Sequence, residues 1–325
     1  MTHLRGRSMS IGISSHRIAD TPLAIIDFET TGLVPGFDRV VEMSVVRVDP
    51  GKDPVVVYDT LINPGRAMGA TEIHGITDED VENAPFFDDV AGELLAATKD
   101  CVIAAYNVYF DIKFLNFELT NAGVAHVPPH LCLMYLRTML GLGARCKLDV
   151  ACREHLIEYS ATHKAADDAL AAGQLFAVYR NEIEKRGINT FGDLARLKKY
   201  KFNDSFQYTP FPSPEKFGLR RFNGALSRAG YSIEVDPTRQ ALSAYWDTLK
   251  SILADLEVSE EEFVQAISVR KEAGLKKEQI RMLHAKAFSG VIAQFIDDQW
   301  LDDRETLKLR KLHQCLSKLG WAPGE

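Results

Sequence analysis

Three apolar segments of strand length follow one another before any helical periodicity begins: Leu23–Phe28, Val40–Val48 and Val55–Ile62. The Pro50-Gly51 turn between the second and third fits a meander. Beyond them the period lengthens. Asp88–Lys99 is amphipathic and helical, Cys101–Ala105 reads as a short buried strand, and Ile112–Asn121 as a helix with apolar Phe114, Leu115 and Leu119. His130–Leu136 is predicted as another strand, followed by a helix from about Asp149 and a long Ala-rich helix over Ala165–Lys185. Serial strands followed by β/α units predict an α/β fold whose mixed sheet is covered by helices, not a purely parallel one.

The chain of 325 residues is long enough for two domains, each with its own core. Residues 1–20 read as a flexible polar tail, 21–187 as the α/β domain, 188–238 as a linker and 239–325 as a helical domain. The linker interleaves Phe and Tyr with Arg196, Lys198, Lys199, Lys201, Lys216, Arg220 and Arg221, against Asp193, Asp204 and Glu215. Such a segment can grip a single strand by phosphate contact and base stacking. The plainer expectation is aromatics packed on one domain beside solvated cations. Further on, Ser259 and Glu262 have the spacing of a capping box. Asp255–Glu262 aligns with Asp298–Glu305 at an offset of 43 residues, and each copy leads into a helix ending near Gly274-Leu275 or Gly320-Trp321. Two pseudo-repeated helical hairpins are therefore expected. The acidic run Asp297–Glu305 is not an EF-hand, because Gln299 and Leu301 sit where oxygen ligands belong and the required glycine is missing.

The net charge of −7 is unevenly spread: residues 1–188 carry 17 Lys/Arg against 26 Asp/Glu, and the remainder 21 against 19. Bound cations can neutralise such carboxylates, so acidity does not exclude a nucleic acid, but it argues against a broad basic duplex-binding face. No apolar run approaches the roughly 20 residues that span a bilayer, and no membrane partner is expected. The five cysteines form no CxxC pair, which points to a reduced, cytoplasmic protein.

In Asp27-Phe-Glu29, the two carboxylates point to one face of a strand end, with Ile26 and Phe28 turned into the core. Placed so, they repel unless a cation sits between them, and oxygen donors favour Mg²⁺ or Mn²⁺. Gly32 allows a tight exit from the strand. Asp111 stands at the predicted start of a helix, where it also suits a plain N-cap role. His163 precedes Asp168 by five residues as a loop enters the Ala-rich helix, where small Ala165, Ala166 and Ala169 permit close approach to a sheet. Taken singly, each of these features has an ordinary structural reading.

Taken in order, Asp-x-Glu-Thr-Thr-Gly (27–32), Asn-x-x-Phe-Asp (107–111) and His-x-Ala-x-x-Asp (163–168) resemble the DnaQ-like, or DEDDh, 3′→5′ exonuclease family. This family includes the epsilon subunit of bacterial DNA polymerase III, ribonuclease T and oligoribonuclease. The similarity covers about residues 20–185, and Ile73-His74-Gly75-Ile76-Thr77 looks like the family's substrate-binding loop. The resemblance implies a ribonuclease H-like fold and two divalent ions, Mg²⁺ or Mn²⁺. Asp27 would bridge them, Glu29 and Asp168 would complete the shell of the first, and Asp111 would serve the second. It also implies His163 as general base, with Thr30, His74, Asn107 and Phe110 at the terminal nucleotide. Tyr106 replaces a common His, and Cys132 a common Asp, but neither is a metal ligand in the family.

The expected activity is removal of nucleotides from the 3′ end of single-stranded DNA. The alternatives are an exoribonuclease trimming RNA ends or short oligonucleotides, and a catalytically silent scaffold; retention of all four carboxylates speaks against the last. The C-terminal part resembles tellurite-resistance-type helical domains. It is expected to position substrate, self-associate or bind a protein partner, and none of its residues looks catalytic.

Overall fold

Strand β1 (Leu23–Thr30) is the spine of a five-stranded sheet in the order β3-β2-β1-β4-β5. β2 (Val40–Val48) and β3 (Val55–Leu61) continue from it as an antiparallel meander, whereas β4 (Val102–Ala105) and β5 (His130–Cys132) run parallel to it. The sheet is mixed, as expected from three serial strands followed by β/α units. The computed structural model describes residues 12–159, 163–197, 205–211, 237–293 and 301–325.

Helices cover this sheet. Short α1 (Thr71–His74) and α2 (Asp78–Val81) follow β3; α3 (Phe87–Ala97) leads into β4, and α4 (Val108–Asn121) leaves it. α5 (Leu133–Met139) and α6 (Leu148–Glu154) precede the long α7 (Ala165–Lys185), which lies across β1 and β2. Small residues let α7 sit close. Ala165, Ala169 and Ala172 are buried, and a Cβ on Gly173 would lie 3.0 Å from Pro54 and 3.2 Å from Val46. On the other side, Glu118 of α4 is buried and accepts two hydrogen bonds from the Arg39 guanidinium, at 2.8 and 2.7 Å. This bidentate pair ties α4 to the start of β2.

Several elements differ from the expectation. His130–Leu136 is not one strand: pairing stops at Cys132 and α5 begins at Leu133. A short apolar run has no decisive period, and Leu-Met-Tyr-Leu-Arg is rich in helix formers. α4 starts at Val108, so Asp111 lies inside its first turn and is not the N-cap, a position that Asn107 occupies. Residues 12–20, expected as tail, bury Ile13 and Ile18; Ile13 N–H bonds Phe206 O at 3.0 Å, and Arg17 bridges to Thr190. The linker holds α8 (Phe191–Ala195), against whose Phe191 the buried Phe206 packs. Lys198, Lys199, Lys201, Lys216, Arg220 and Arg221 lie outside the described residues.

The C-terminal helices are α9 (Pro237–Asp255), α10 (Glu260–Glu272), α11 (Lys277–Ala293) and α12 (Asp303–Lys318). Ser259 and Glu262 form the capping box of α10; at the 43-residue offset, Asp302 and Glu305 form that of α12. Gly274 and Gly320 both follow their helices in left-handed conformation, at φ of 61° and 107°. α9 packs on α10 and α11, and also reaches α1 and α4.

Glu118→Gln keeps the shape of the buried side chain but removes its charge. It is expected to lower unfolding free energy by about 1.5–3 kcal/mol, read as a reduced urea midpoint with an unchanged slope.

Candidate active site

The alternation of β1 turns Asp27 and Glu29 to one face while Phe28 enters the core. Two further contacts aim the other carboxylates at this strand end. Asp111 Oδ1 accepts the Phe28 N–H at 3.2 Å, which locks the first turn of α4 to β1. Glu42, paired opposite Glu29 in the β1–β2 register, accepts the Ala165 N–H at 3.2 Å and so holds the start of α7. Asp168 lies one turn into α7, where the Tyr159 hydroxyl donates to its Oδ1 at 2.6 Å. His163 sits just before that helix in left-handed conformation, φ 52°. Ligand atoms of Glu29, His163 and Asp168 fall within 4.8 Å of one another.

All five residues line one cavity of about 90 Å³, together with Asn107 and Phe110. The Asn107 Oδ1 atom is buried and has no hydrogen-bond partner among the described residues. Thr30 and His74 do not line this cavity. The Thr30 hydroxyl donates to Gly32 O at 2.5 Å. His74 accepts the Ile76 N–H at Nδ1, 3.0 Å, so its Nε2 carries the proton facing Gly69 O at 3.2 Å. Gly32 is tightly confined, since a Cβ there would fall 2.4 Å from the Asp38 carboxylate.

Burial dominates the electrostatics. It pushes Asp27 well above the usual carboxylate range, reinforced by the charges of Asp168, Asp111 and Glu29. Asp168 is raised for the same first reason, against the hydrogen bond from Tyr159. Burial lifts Asp111 to about 7, although the charge of Lys250 opposes it. His163 is pushed below its ordinary value, again chiefly by burial, so its imidazole is neutral and able to accept a proton near pH 7. Crowded, desolvated carboxylates of this kind fit hard divalent cations, which would remove the repulsion that raises them. The all-oxygen acidic set suits Mg²⁺ or Mn²⁺.

The C-terminal helices also reach this cavity, which the sequence did not reveal. α9 contributes Asp247 and Lys250 to its lining, and the Ser243 hydroxyl meets His163 Nδ1 at 2.8 Å. Burial acts against the Lys250 charge, but Asp247, Glu29, Asp27 and Asp111 outweigh it and raise its pKa. The signal was present as polar residues at helical spacing, but an unpartnered polar stripe reads as a solvated face.

Comparison with known proteins bears on this constellation. Residues 24–176 match the RNase T exonuclease family. This part of the chain is an exonuclease domain. A PolC-type DNA polymerase III from Thermotoga maritima is 31% identical to the chain over 193 residues, 58% of this chain and 14% of that protein. A DNA polymerase III subunit epsilon-like protein from Rhodobacter capsulatus is 33% identical over 196 residues, 56% of this chain and 28% of that protein. The chain thus spans under a third of either relative's length. Among solved structures, exonuclease X in complex with 5′-overhanging duplex DNA covers 51% of this chain and 93% of its own, at 24% identity and a TM-score of 0.38. A full-length 3′-exonuclease covers 52% and 84%, at 17% identity and a TM-score of 0.42. The exonuclease domain contains all three sequence motifs. The family match ends before the C-terminal helices, so their resemblance to tellurite-resistance-type domains gains no support from it.

The raised Asp111 pKa has a defined consequence for the metal-free protein. The native state holds a proton more tightly than the unfolded chain, so this stabilisation is full below about pH 4 and is lost as pH rises through about 7. Wild type in EDTA should therefore lose stability relative to Asp111→Asn across that window, by up to about 1.4 kcal/mol per pH unit. Parallel urea midpoints for the two proteins at all pH values would contradict the assignment.

Proposed function

We propose that this chain is a divalent-metal-dependent 3′→5′ exonuclease that removes nucleotides from single-stranded DNA ends, with His163 as general base. The observation that carries the proposal is the convergence of Asp27, Glu29, Asp111, Asp168 and His163 on one cavity from three separate elements. Asp27, Glu29, Asp111 and Asp168 would hold two ions, Mg²⁺ or Mn²⁺. When bound, such ions supply Lewis-acid charge to the phosphoryl oxygens and make water a stronger nucleophile.

The residues of the chain then have distinct tasks. His163 takes the proton of the attacking water. Tyr159 orients Asp168 through its hydroxyl, and the Phe28 N–H orients Asp111. Asn107 offers an unmatched acceptor and Phe110 an aromatic face to the terminal nucleotide. Thr30 and His74 shape the loops beside it from outside the cavity. The preference for DNA follows the two polymerase III relatives. Free thiols at all five cysteines agree with a cytoplasmic setting, and among the described residues no helix is long and apolar enough to cross a membrane.

His163→Ala is expected to lower turnover by about 10²–10⁴-fold while leaving Mn²⁺ binding intact. Parental turnover in that variant would refute the general-base role. Asp27→Ala should abolish both hydrolysis and the calorimetric signature of Mn²⁺ binding. Single-stranded DNA, duplex DNA and RNA, each blocked at one end and digested with Mn²⁺, read out polarity and sugar preference together. Degradation only from the 5′ end would overturn the proposal, and faster loss of RNA would reassign the substrate.

A further inference from the structure

α9 presents a polar stripe to the active site. Arg239, Ser243, Asp247 and Lys250 recur at steps of four, four and three residues, hence on one face of the helix. Each contact in the cavity takes a group that catalysis would need. The Lys250 ammonium places a positive charge among Asp27, Glu29 and Asp111, where cations belong. It also lies 4.6 Å from the centre of the Phe110 ring, covering a face suited to stacking. Ser243 engages His163 Nδ1 at 2.8 Å. The side chain of Lys250 is only 16% exposed and is paired with Asp247 at 3.5 Å, so the helix brings its own counter-charge.

Little room remains. The cavity of about 90 Å³ admits a few waters or ions. The contact continues outside the cavity in polar form: Lys286 of α11 pairs with Glu72 of α1, and the Arg239 guanidinium lies against Gly75. These ion pairs re-solvate on opening; beside them Gly290 lies against Val34, and buried Leu242, Trp246 and Leu249 of α9 join the same apolar cluster as the exonuclease core, so withdrawal also exposes apolar surface.

We propose that α9 is an autoinhibitory plug: Lys250 stands in for a divalent ion, and the site accepts ions and a 3′ end only when α9 withdraws. The inference rests on the metal-dependent reading above. Ions and the docked helix compete, so each weakens the other by the same factor.

The test uses the full chain, as wild type and as Lys250→Met. In calorimetric titration, Lys250→Met is expected to bind Mn²⁺ about tenfold more tightly than wild type, a size usual for coupling between sites. Independently, hydrogen exchange on wild type should show amides of residues 239–252 losing protection on addition of Mn²⁺ and a phosphorothioate single strand. That measurement decides the matter even if the variant fails to fold. Equal or weaker Mn²⁺ affinity in a folded Lys250→Met, or α9 amides that stay protected with the oligonucleotide bound, overturns the plug but leaves the exonuclease reading standing. Absence of any Mn²⁺ binding or hydrolysis in both proteins overturns both.

Discussion

Everything near the active site answers to one problem, which is the burial of several carboxylates within a few ångströms of each other. Desolvation and mutual repulsion push Asp27, Asp111 and Asp168 toward their protonated forms, so the arrangement is costly without compensating positive charge. The fold accepts this cost because the surrounding backbone is over-determined. β1 is held on both sides, by β2 and β4; α4 is tied to it through Phe28 and Asp111; and α7 is tied to the neighbouring strand through Glu42 and Ala165. Rigid elements can hold groups whose charges would otherwise drive them apart.

The source of positive charge divides the molecule into two arrangements. With α9 docked, the chain supplies its own cation, and the imidazole is held by a hydroxyl of the same helix. The functional reading of the exonuclease domain therefore depends on residues more than 60 positions beyond the end of the family match. A catalytic core read without the C-terminal helices would lack this counter-charge.

Much of the fold was legible because it rests on local pattern. β2 and α7 match their predicted bounds to the residue, and both capping boxes fall where the 43-residue repeat places them. The four carboxylates were legible as a set only through the ordered resemblance to the DnaQ-like family; strand alternation alone paired Asp27 with Glu29. What escaped was of two kinds. β5 and α4 were misjudged at their ends, where Leu133–Leu136 lacks a clear period and Val108–Asp111 begins a helix without a side-chain cap. Glu42, Tyr159 and Lys250 escaped because their roles are tertiary: a buried Glu that anchors a distant helix has the same local sequence as a solvated one. Thr30 and His74 show the converse, with motif positions whose polar atoms are engaged by their own loops.

The unmatched Asn107 acceptor bears on selectivity more than on affinity. The Asn107 Oδ1 acceptor has no donor among the described residues, so an occupant is judged by whether it brings one. One bringing an O–H or N–H to that point gains the bond. An isosteric one lacking the donor leaves the acceptor unpaired and is discriminated against far more strongly than a missing methylene would be. In the function proposed above, a single amide would thus check the chemical state of the end bound beside it.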